Sequence, residues 1–117
     1  MKYALLIYST EGTEPQPGTA DFDKYLQDYM QFTGETKSKK VWHGGEALTP
    51  IGTATTVQVR DGKTITTDGP FAETKEQLGG FYILDCQNLD EAIEWAARLP
   101  TATHGTIEIR PIQVWEA

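Results

Sequence analysis

Apolar residues follow two different periods along this chain. The run Tyr3–Tyr8 is continuously apolar or β-favouring, which predicts a first strand. After Thr19 the period becomes three to four residues, which predicts a helix with one apolar face. That face consists of Phe22, Tyr25, Leu26, Tyr29, Met30 and Thr33. Thr19 is the expected N-cap, because its hydroxyl can accept a hydrogen bond from a free backbone amide.

The middle of the chain has the pattern of a β-hairpin. Thr55–Arg60 and Lys63–Thr67 are rich in β-branched residues, and the pair Asp61-Gly62 separates them. Asp-Gly suits the positive φ angles that both central residues of a type I′ turn require. The preceding stretch, Val41–Pro50, is compatible with either a short strand or an ordered loop.

The second half of the chain also alternates between strand and helix. Phe81–Leu84 is apolar on consecutive residues and predicts a strand, preceded by a loop or short helix over Asp68–Gly80. Asn88 and Glu91 have the spacing of a capping box, and the helix after them should stop before Pro100. The expected apolar side of this helix consists of Leu89, Ala92, Ile93, Ala96 and Leu99.

The order of these elements predicts the fold class. A last strand pattern over Ile107, Ile109, Ile112 and Val114 is interrupted by Pro111, which indicates an edge position or a bulge. The order β-α-(ββ)-β-α-β predicts an α+β domain with a ferredoxin-like split βαβ sheet and two helices on one face. Without repeats or low-complexity tracts, residues 1–117 are expected to form a single domain.

A homodimer is also expected from the strand patterns. Tyr3–Tyr8 and Phe81–Leu84 carry apolar side chains toward both faces of the sheet, whereas one layer of helices covers only one face. A second copy of the chain is therefore expected to cover the other face.

Composition argues against several partners and compartments. The 17 acidic and 10 basic residues give a net charge of −7, which disfavours binding to nucleic acid or to anionic membranes. No apolar run is long enough to span a bilayer. The single cysteine, Cys86, cannot form an internal disulfide, which is typical of a cytoplasmic protein, and a structural role is expected for it.

The segment DGPFAETKEQLGGF, from Asp68 to Phe81, concentrates the candidate chemistry. Asp68 is a candidate general base if it is buried, or a turn cap that bonds through its own side chain. Glu73 and Lys75 are candidate ligand-binding groups, with Phe71 as an aromatic neighbour. A charged loop between two strands is a common place for such groups.

Three residues outside this segment complete the candidate set. His104 precedes the last strand and is a candidate catalytic partner of Asp68, while His43 is a candidate ligand contact. Arg110 could clamp a carboxylate or pair with one of the surplus acids. Two histidines 61 positions apart give no metal signature, and no nucleotide-binding motif is present, so neither a metal nor a cofactor is predicted.

The same segment resembles the signature of the DGPF-type proteins of the YCII-related superfamily. KYALLIY, GGEALTP, ATTVQVRDGKTITTDGPF, LDEAIEWAARLP and GTIEIRPI extend the resemblance over nearly the whole chain. The resemblance implies a ferredoxin-like, dimeric α/β-barrel fold in a bacterial family whose members are mostly uncharacterised. Many members are encoded beside extracytoplasmic-function sigma factors.

The resemblance also bears on chemistry. Distant relatives with this fold include lactone isomerases and dehalogenating enzymes of aromatic breakdown. YCII proteins carry a His-Asp pair with its histidine on or near the first helix. Residues 20–40 contain no histidine, so that pair is not carried over, and only Asp68 matches the motif.

Two functions are compatible with these observations. The first is a cofactor-free lyase or isomerase that acts on a small polar or aromatic molecule by acid–base chemistry. Its pocket would lie between the sheet and the DGPF loop, with Asp68 as base and His104 or Lys75 as partner. The second is a non-catalytic module that binds a ligand or a protein in sigma-factor regulation. A buried Asp68 favours the first function and an exposed Asp68 the second.

Overall fold

The chain forms a four-stranded sheet layered against two helices, with a separate hairpin. A computed structural model describes residues 1–115. The helices are α1 (Ala20–Ser38) and α2 (Leu89–Ala97). The strands are β1 (Lys2–Thr10), β2 (Trp42–Ala47), β3 (Thr55–Arg60), β4 (Lys63–Asp68), β5 (Glu76–Asp85) and β6 (Thr106–Pro111). No helix in this part of the chain is long and apolar enough to cross a membrane.

The main sheet has the strand order β2-β5-β1-β6, and all neighbouring strands are antiparallel. This order is compatible with the predicted ferredoxin-like α+β fold. The stretch Val41–Pro50, which the sequence left open, supplies the edge strand β2. Pro111 ends the other edge strand, β6, as its missing amide hydrogen predicted.

One face of the sheet carries the hydrophobic core. Tyr3, Leu5 and Ile7 alternate along β1 and are buried against both helices. Phe32 of α1 meets Trp95 of α2 edge to face, with the ring centroids 5.8 Å apart. Because both helices contribute to this single core, the prediction of two helices on one sheet face is confirmed.

Both predicted helix N-caps are confirmed. The backbone amide of Phe22 donates to Thr19 Oγ1 at 3.1 Å, and the amide of Glu91 donates to Asn88 Oδ1 at 2.9 Å. The Glu91 carboxylate accepts from the amide of Gln87 at 2.7 Å, one residue earlier than a capping box requires.

The predicted apolar side of α2 was wrong in part. Leu89 and Ile93 are each 49% exposed, whereas Trp95 is buried together with Ala92 and Ala96. On a helix of this length, the spacing of three to four residues is compatible with either set of side chains as the buried face. The helix is rotated so that the indole of Trp95, which has the largest apolar surface, lies in the core.

The prediction of a loop or short helix over Asp68–Gly80 was wrong for its last five residues. Strand β5 begins at Glu76, and it pairs with β1 through Gln77 and Ser9. A bulge follows, because Ile7 pairs with Gly80 and Tyr8 pairs with Leu78. This bulge interrupts the period-two pattern that sequence analysis depends on.

The predicted hairpin is confirmed, but it stands apart from the main sheet. Asp61 and Gly62 have φ angles of 53° and 72°, as a type I′ turn requires. Strands β3 and β4 form a sheet of their own, and β4 is exposed along its whole length. The radius of gyration of 16.3 Å exceeds the roughly 13 Å of a compact chain of this length, which is consistent with a projecting hairpin.

Replacing Gly62 with valine should therefore destabilise the hairpin locally. A β-branched residue at positive φ costs on the order of 1 kcal/mol or more. Because the hairpin packs little on the core, we expect faster amide hydrogen exchange over residues 55–68 and little change in the core. Gly52→Val, outside the turn and without a positive φ, is the control. Unchanged exchange in the hairpin would count against the turn.

Candidate functional site

A cleft of about 740 Å³ opens between α1 and the sheet. We call it the α1 cleft. It is bounded by the first half of α1, by β1, β2 and β5, and by residues 48–51. Six aromatic residues of the described part of the chain line it: Phe22, Tyr25, Tyr29, Trp42, Phe81 and Tyr82. Aromatic walls with a few polar groups are typical of sites for small molecules.

The cleft exists because small residues occupy the sheet beneath α1. Gly45 pairs with Tyr82, and Ala47 pairs with Gly80. A Cβ atom at Gly45 would lie 2.8 Å from the carbonyl oxygen of Phe81, so only glycine fits there. Because Gly45, Ala47 and Gly80 have small side chains or none, the space between them and α1 is not filled by core packing.

The aromatic side chains form one continuous wall. The rings of Tyr25 and Tyr29 are 5.2 Å apart edge to face, and those of Tyr29 and Tyr82 are parallel at 6.4 Å. Trp42 meets Tyr82 edge to face at 5.8 Å. The hydroxyls of Tyr82 and Thr33 are hydrogen-bonded at 2.9 Å, which holds the Tyr82 ring against α1.

A hydrogen-bonded chain crosses the polar end of the cleft. Thr101 Oγ1 lies 2.5 Å from the hydroxyls of both Tyr25 and Tyr29. The Tyr25 hydroxyl also donates to Glu14 Oε1 at 3.3 Å, and Ser9 Oγ donates to the same oxygen at 2.9 Å. Since a carboxylate only accepts, the donors run from Tyr29 through Thr101 and Tyr25 to Glu14.

Burial determines the protonation of the tyrosines. It raises the pKa of Tyr25 well above the ordinary value of 10.0, and the nearby Tyr29 and Glu14 raise it further. Burial also raises the pKa of Tyr29 and of Tyr82. At neutral pH all three phenols are therefore hydrogen-bond donors rather than bases. The Glu14 carboxylate is the last hydrogen-bond acceptor of this chain.

Four of the predicted site residues lie outside the cleft. Asp68 is exposed at the end of β4, and Phe71, Glu73 and Lys75 are exposed in the loop that follows it. Phe71 is 86% exposed. Among residues 1–115, no hydrogen bond involves the side chain of Asp68, so the structure shows it neither buried nor capping a turn. The roles proposed for these residues stay predictions.

The other three predicted residues are scattered. His104 is exposed after the turn Pro100–Thr103, and its ring lies 6.1 Å from that of Tyr25. His43 is exposed on β2, and Arg110 is exposed on β6 opposite Ala4, on the sheet face that the helices do not cover. Of the predicted set, only His104 lies next to the hydrogen-bonded chain.

Sequence reasoning missed the residues that the structure brings together. Tyr25 and Tyr29 were assigned to the core because they follow the apolar period of α1. Neither Glu14 nor Thr101 belongs to the candidate set predicted from the sequence. One signal was available, since two tyrosines and a threonine on one helical stripe bring hydroxyls that need partners when buried.

Two further features bear on a reactive thiol and on a metal site. Cys86 is only 2% exposed, and burial raises the pKa of its thiol to about 11, so it is an unreactive part of the core. Within residues 1–115, no three His, Cys, Asp or Glu side chains lie close enough together to hold a metal ion.

Comparison with known proteins identifies the family. The family model described as YCII-related domain matches residues 1–116. The chain belongs to the YCII-related family. An uncharacterised protein of Rhizobium meliloti (strain 1021) is 35% identical over 118 aligned residues, covering 99% of this chain and 95% of that protein. The resemblance to the YCII-related superfamily is thereby confirmed, and the relative is itself uncharacterised.

Thr101→Val should destabilise this YCII-related domain without changing its shape. Thr101 is fully buried, and valine replaces its hydroxyl with a methyl group. The phenols of Tyr25 and Tyr29 then lose a buried partner, which costs about 1–3 kcal/mol. Chemical denaturation measures the loss, and Thr101→Ser, which keeps the hydroxyl, is the matched control. Equal stabilities of the two variants would contradict the hydrogen-bonded chain.

Proposed function

We propose that the α1 cleft binds a small polar or aromatic molecule and catalyses acid–base chemistry on it without a cofactor, as a lyase or isomerase. The observation that carries this proposal is the combination of an aromatic cleft with the hydrogen-bonded chain that ends on Glu14. The proposal replaces a pocket at the DGPF loop with one at α1.

Glu14 is the proposed proton acceptor. Its Oε1 accepts from Ser9 and Tyr25, which hold the carboxylate in place, while no residue within 1–115 hydrogen-bonds to Oε2. A carbon acid bound against Oε2 would give its proton to Glu14. Returning that proton to another carbon completes an isomerisation, and departure of a β-substituent with its electron pair completes an elimination.

A non-catalytic binding module in sigma-factor regulation is the second candidate. The observation that favours it is the exposure of the DGPF loop, in which the side chain of Phe71 is 86% exposed to solvent. Exposed aromatic side chains on loops are typical of contacts with a partner protein. This candidate requires no chemistry at Glu14.

A ligand screen with a paired variant tests the first proposal. Ligand-observed NMR against small aromatic and polar molecules is run on the protein and on Leu26→Trp. Leu26, 46% exposed, lines the cleft, so tryptophan should fill it. Leu89→Trp, at a position 49% exposed on α2, is the matched control. Binding lost in the first variant and kept in the second supports the proposal. Binding that persists in both contradicts it.

We also propose that the chain is a homodimer through the uncovered face of its main sheet. Leu6 and Tyr8 of β1, with Phe81 and Ile83 of β5, are partly exposed on that face. Glu108 and Arg110 alternate on the adjacent edge strand. A two-fold arrangement would bury the apolar row and allow each arginine to meet an acid of the other copy, so this surface is self-complementary.

Light scattering tests this assembly. We expect a mass of twice 13.0 kDa at micromolar concentration. Leu6→Glu should return the 13.0 kDa monomer, because it places a charge in the middle of the apolar row. The control is Met30→Glu, which changes an exposed position of α1 on the opposite side. A monomeric unmodified protein would refute the dimer.

A further inference from the structure

We propose that the ligand of the α1 cleft carries a positive charge, as an organic ammonium or quaternary ammonium group. This inference rests on the proposed function, because it names the chemical class of the molecule that the same cleft would take. Two observations support it: the charges of the residues that line the cleft, and the hydrogen bonds that occupy the hydroxyls of its tyrosines.

The charged residues that line the cleft, among those the structure describes, are all acidic. Within residues 1–115, no lysine, arginine or histidine lines the cleft, whereas Glu14 lies at its polar end. Glu46 also borders it, but Glu46 pairs with Phe81 while the neighbouring Gly45 pairs with Tyr82 on the cleft side. Its side chain therefore points to the other face of the sheet. A bound anion would meet Glu14 with no cationic side chain among the described lining residues, and a cation would be attracted to Glu14.

The aromatic wall favours a cation for a separate reason. The hydroxyls of Tyr25, Tyr29 and Tyr82 all bond to protein groups, so these side chains offer a ligand mainly their rings. The face of an aromatic ring is electron-rich and attracts organic cations. Several such rings beside one carboxylate form the kind of cage that recognises quaternary ammonium groups.

Trp42 already shows this attraction on the protein itself. The ammonium of Lys37 lies 5.0 Å from the centroid of its ring. Lys37 is exposed and is not part of the cleft lining. The Trp42 ring thus already contacts an ammonium group of the protein. The rings of the cleft tyrosines are the ones that a ligand would contact.

Three probes of nearly equal shape separate charge from size. Choline is the cation, 3,3-dimethyl-1-butanol is its neutral isostere, and 3,3-dimethylbutanoate is the anion. Their affinities are measured by chemical-shift changes of the cleft amides in the full chain. We expect choline to bind roughly tenfold more tightly than the alcohol, and the anion not to bind.

Two variants assign the effect to Glu14. Glu14→Gln should weaken choline severalfold and leave the alcohol unchanged, because only the charged probe uses the carboxylate. Glu46→Gln, at an acid directed to the other sheet face, should change neither affinity. Melting temperatures confirm that both variants fold.

The possible failures are distinguishable. If the alcohol binds as tightly as choline, or if no probe binds, the inference of a cationic ligand is overturned. The proposed function then stands or falls on the ligand screen with Leu26→Trp. If choline binds but Glu14→Gln and Glu46→Gln weaken it equally, the inferred location of the charge is overturned.

Discussion

Replacing Gly105 with alanine is expected to lower the free energy of unfolding by about 3 kcal/mol. A Cβ atom at this position would lie 2.2 Å from the carbonyl oxygen of Tyr8 and 2.9 Å from Cγ2 of Thr101. Both neighbours are fixed, since Tyr8 is in β1 and Thr101 is fully buried. The chain must shift, and the melting temperature should fall by about 10 °C.

Gly34→Ala is the control for this prediction. Gly34 lies within α1, and a Cβ there would meet nothing within 4 Å. Alanine should raise the stability by roughly 0.5–1 kcal/mol, because it favours the helix. Equal melting temperatures for the two variants would show that the contact between Gly105 and β1 is absent.

Glu14→Gln is expected to lower turnover of a substrate found by the screen by a factor of roughly 10²–10⁴. Glutamine keeps the shape and most of the hydrogen bonding but cannot accept a proton. The stability should change little, because Glu14 is only partly buried. Steady-state rates and melting temperatures are measured together, so that a loss of activity is not mistaken for unfolding.

Asp68→Asn is the matched comparison, because it makes the same change of charge at the acid of the DGPF motif. Asp68 is exposed and lies outside the cleft lining, so we expect neither activity nor stability to change. If Asp68→Asn abolishes turnover and Glu14→Gln does not, the proton acceptor lies at the DGPF loop, and the proposal for the α1 cleft is wrong.

The proposed dimer contact and the α1 cleft lie mainly on opposite faces of the main sheet. The proposed contact uses the sheet face that carries Leu6 and Ile83, whereas the cleft lies on the helix face that carries Tyr82. Loss of the dimer in Leu6→Glu therefore need not remove ligand binding. Measuring both in the same variant shows whether the two faces are coupled.

The sequence by itself determined the elements whose signals are local. The caps Thr19 and Asn88, the turn Asp61-Gly62 and the edge position of Pro111 each depend on one or two residues and their own backbone. Such preferences act within a few residues and are not overridden by packing here. The family was also recognisable, because the resemblance extends over nearly the whole chain.

The tertiary structure alone decided the site. Tyr25 and Thr101 are 76 positions apart in sequence, and Glu14 precedes Tyr25 by 11. Only the packing of α1 beside the turn Pro100–Thr103 brings their polar atoms together. The DGPF segment, by contrast, concentrates charges along the chain but leaves Asp68 exposed. The cleft forms where the sheet lacks large side chains, as at Gly45. The hydrophobic period of a sequence does not reveal which residues of other elements lie opposite such a position.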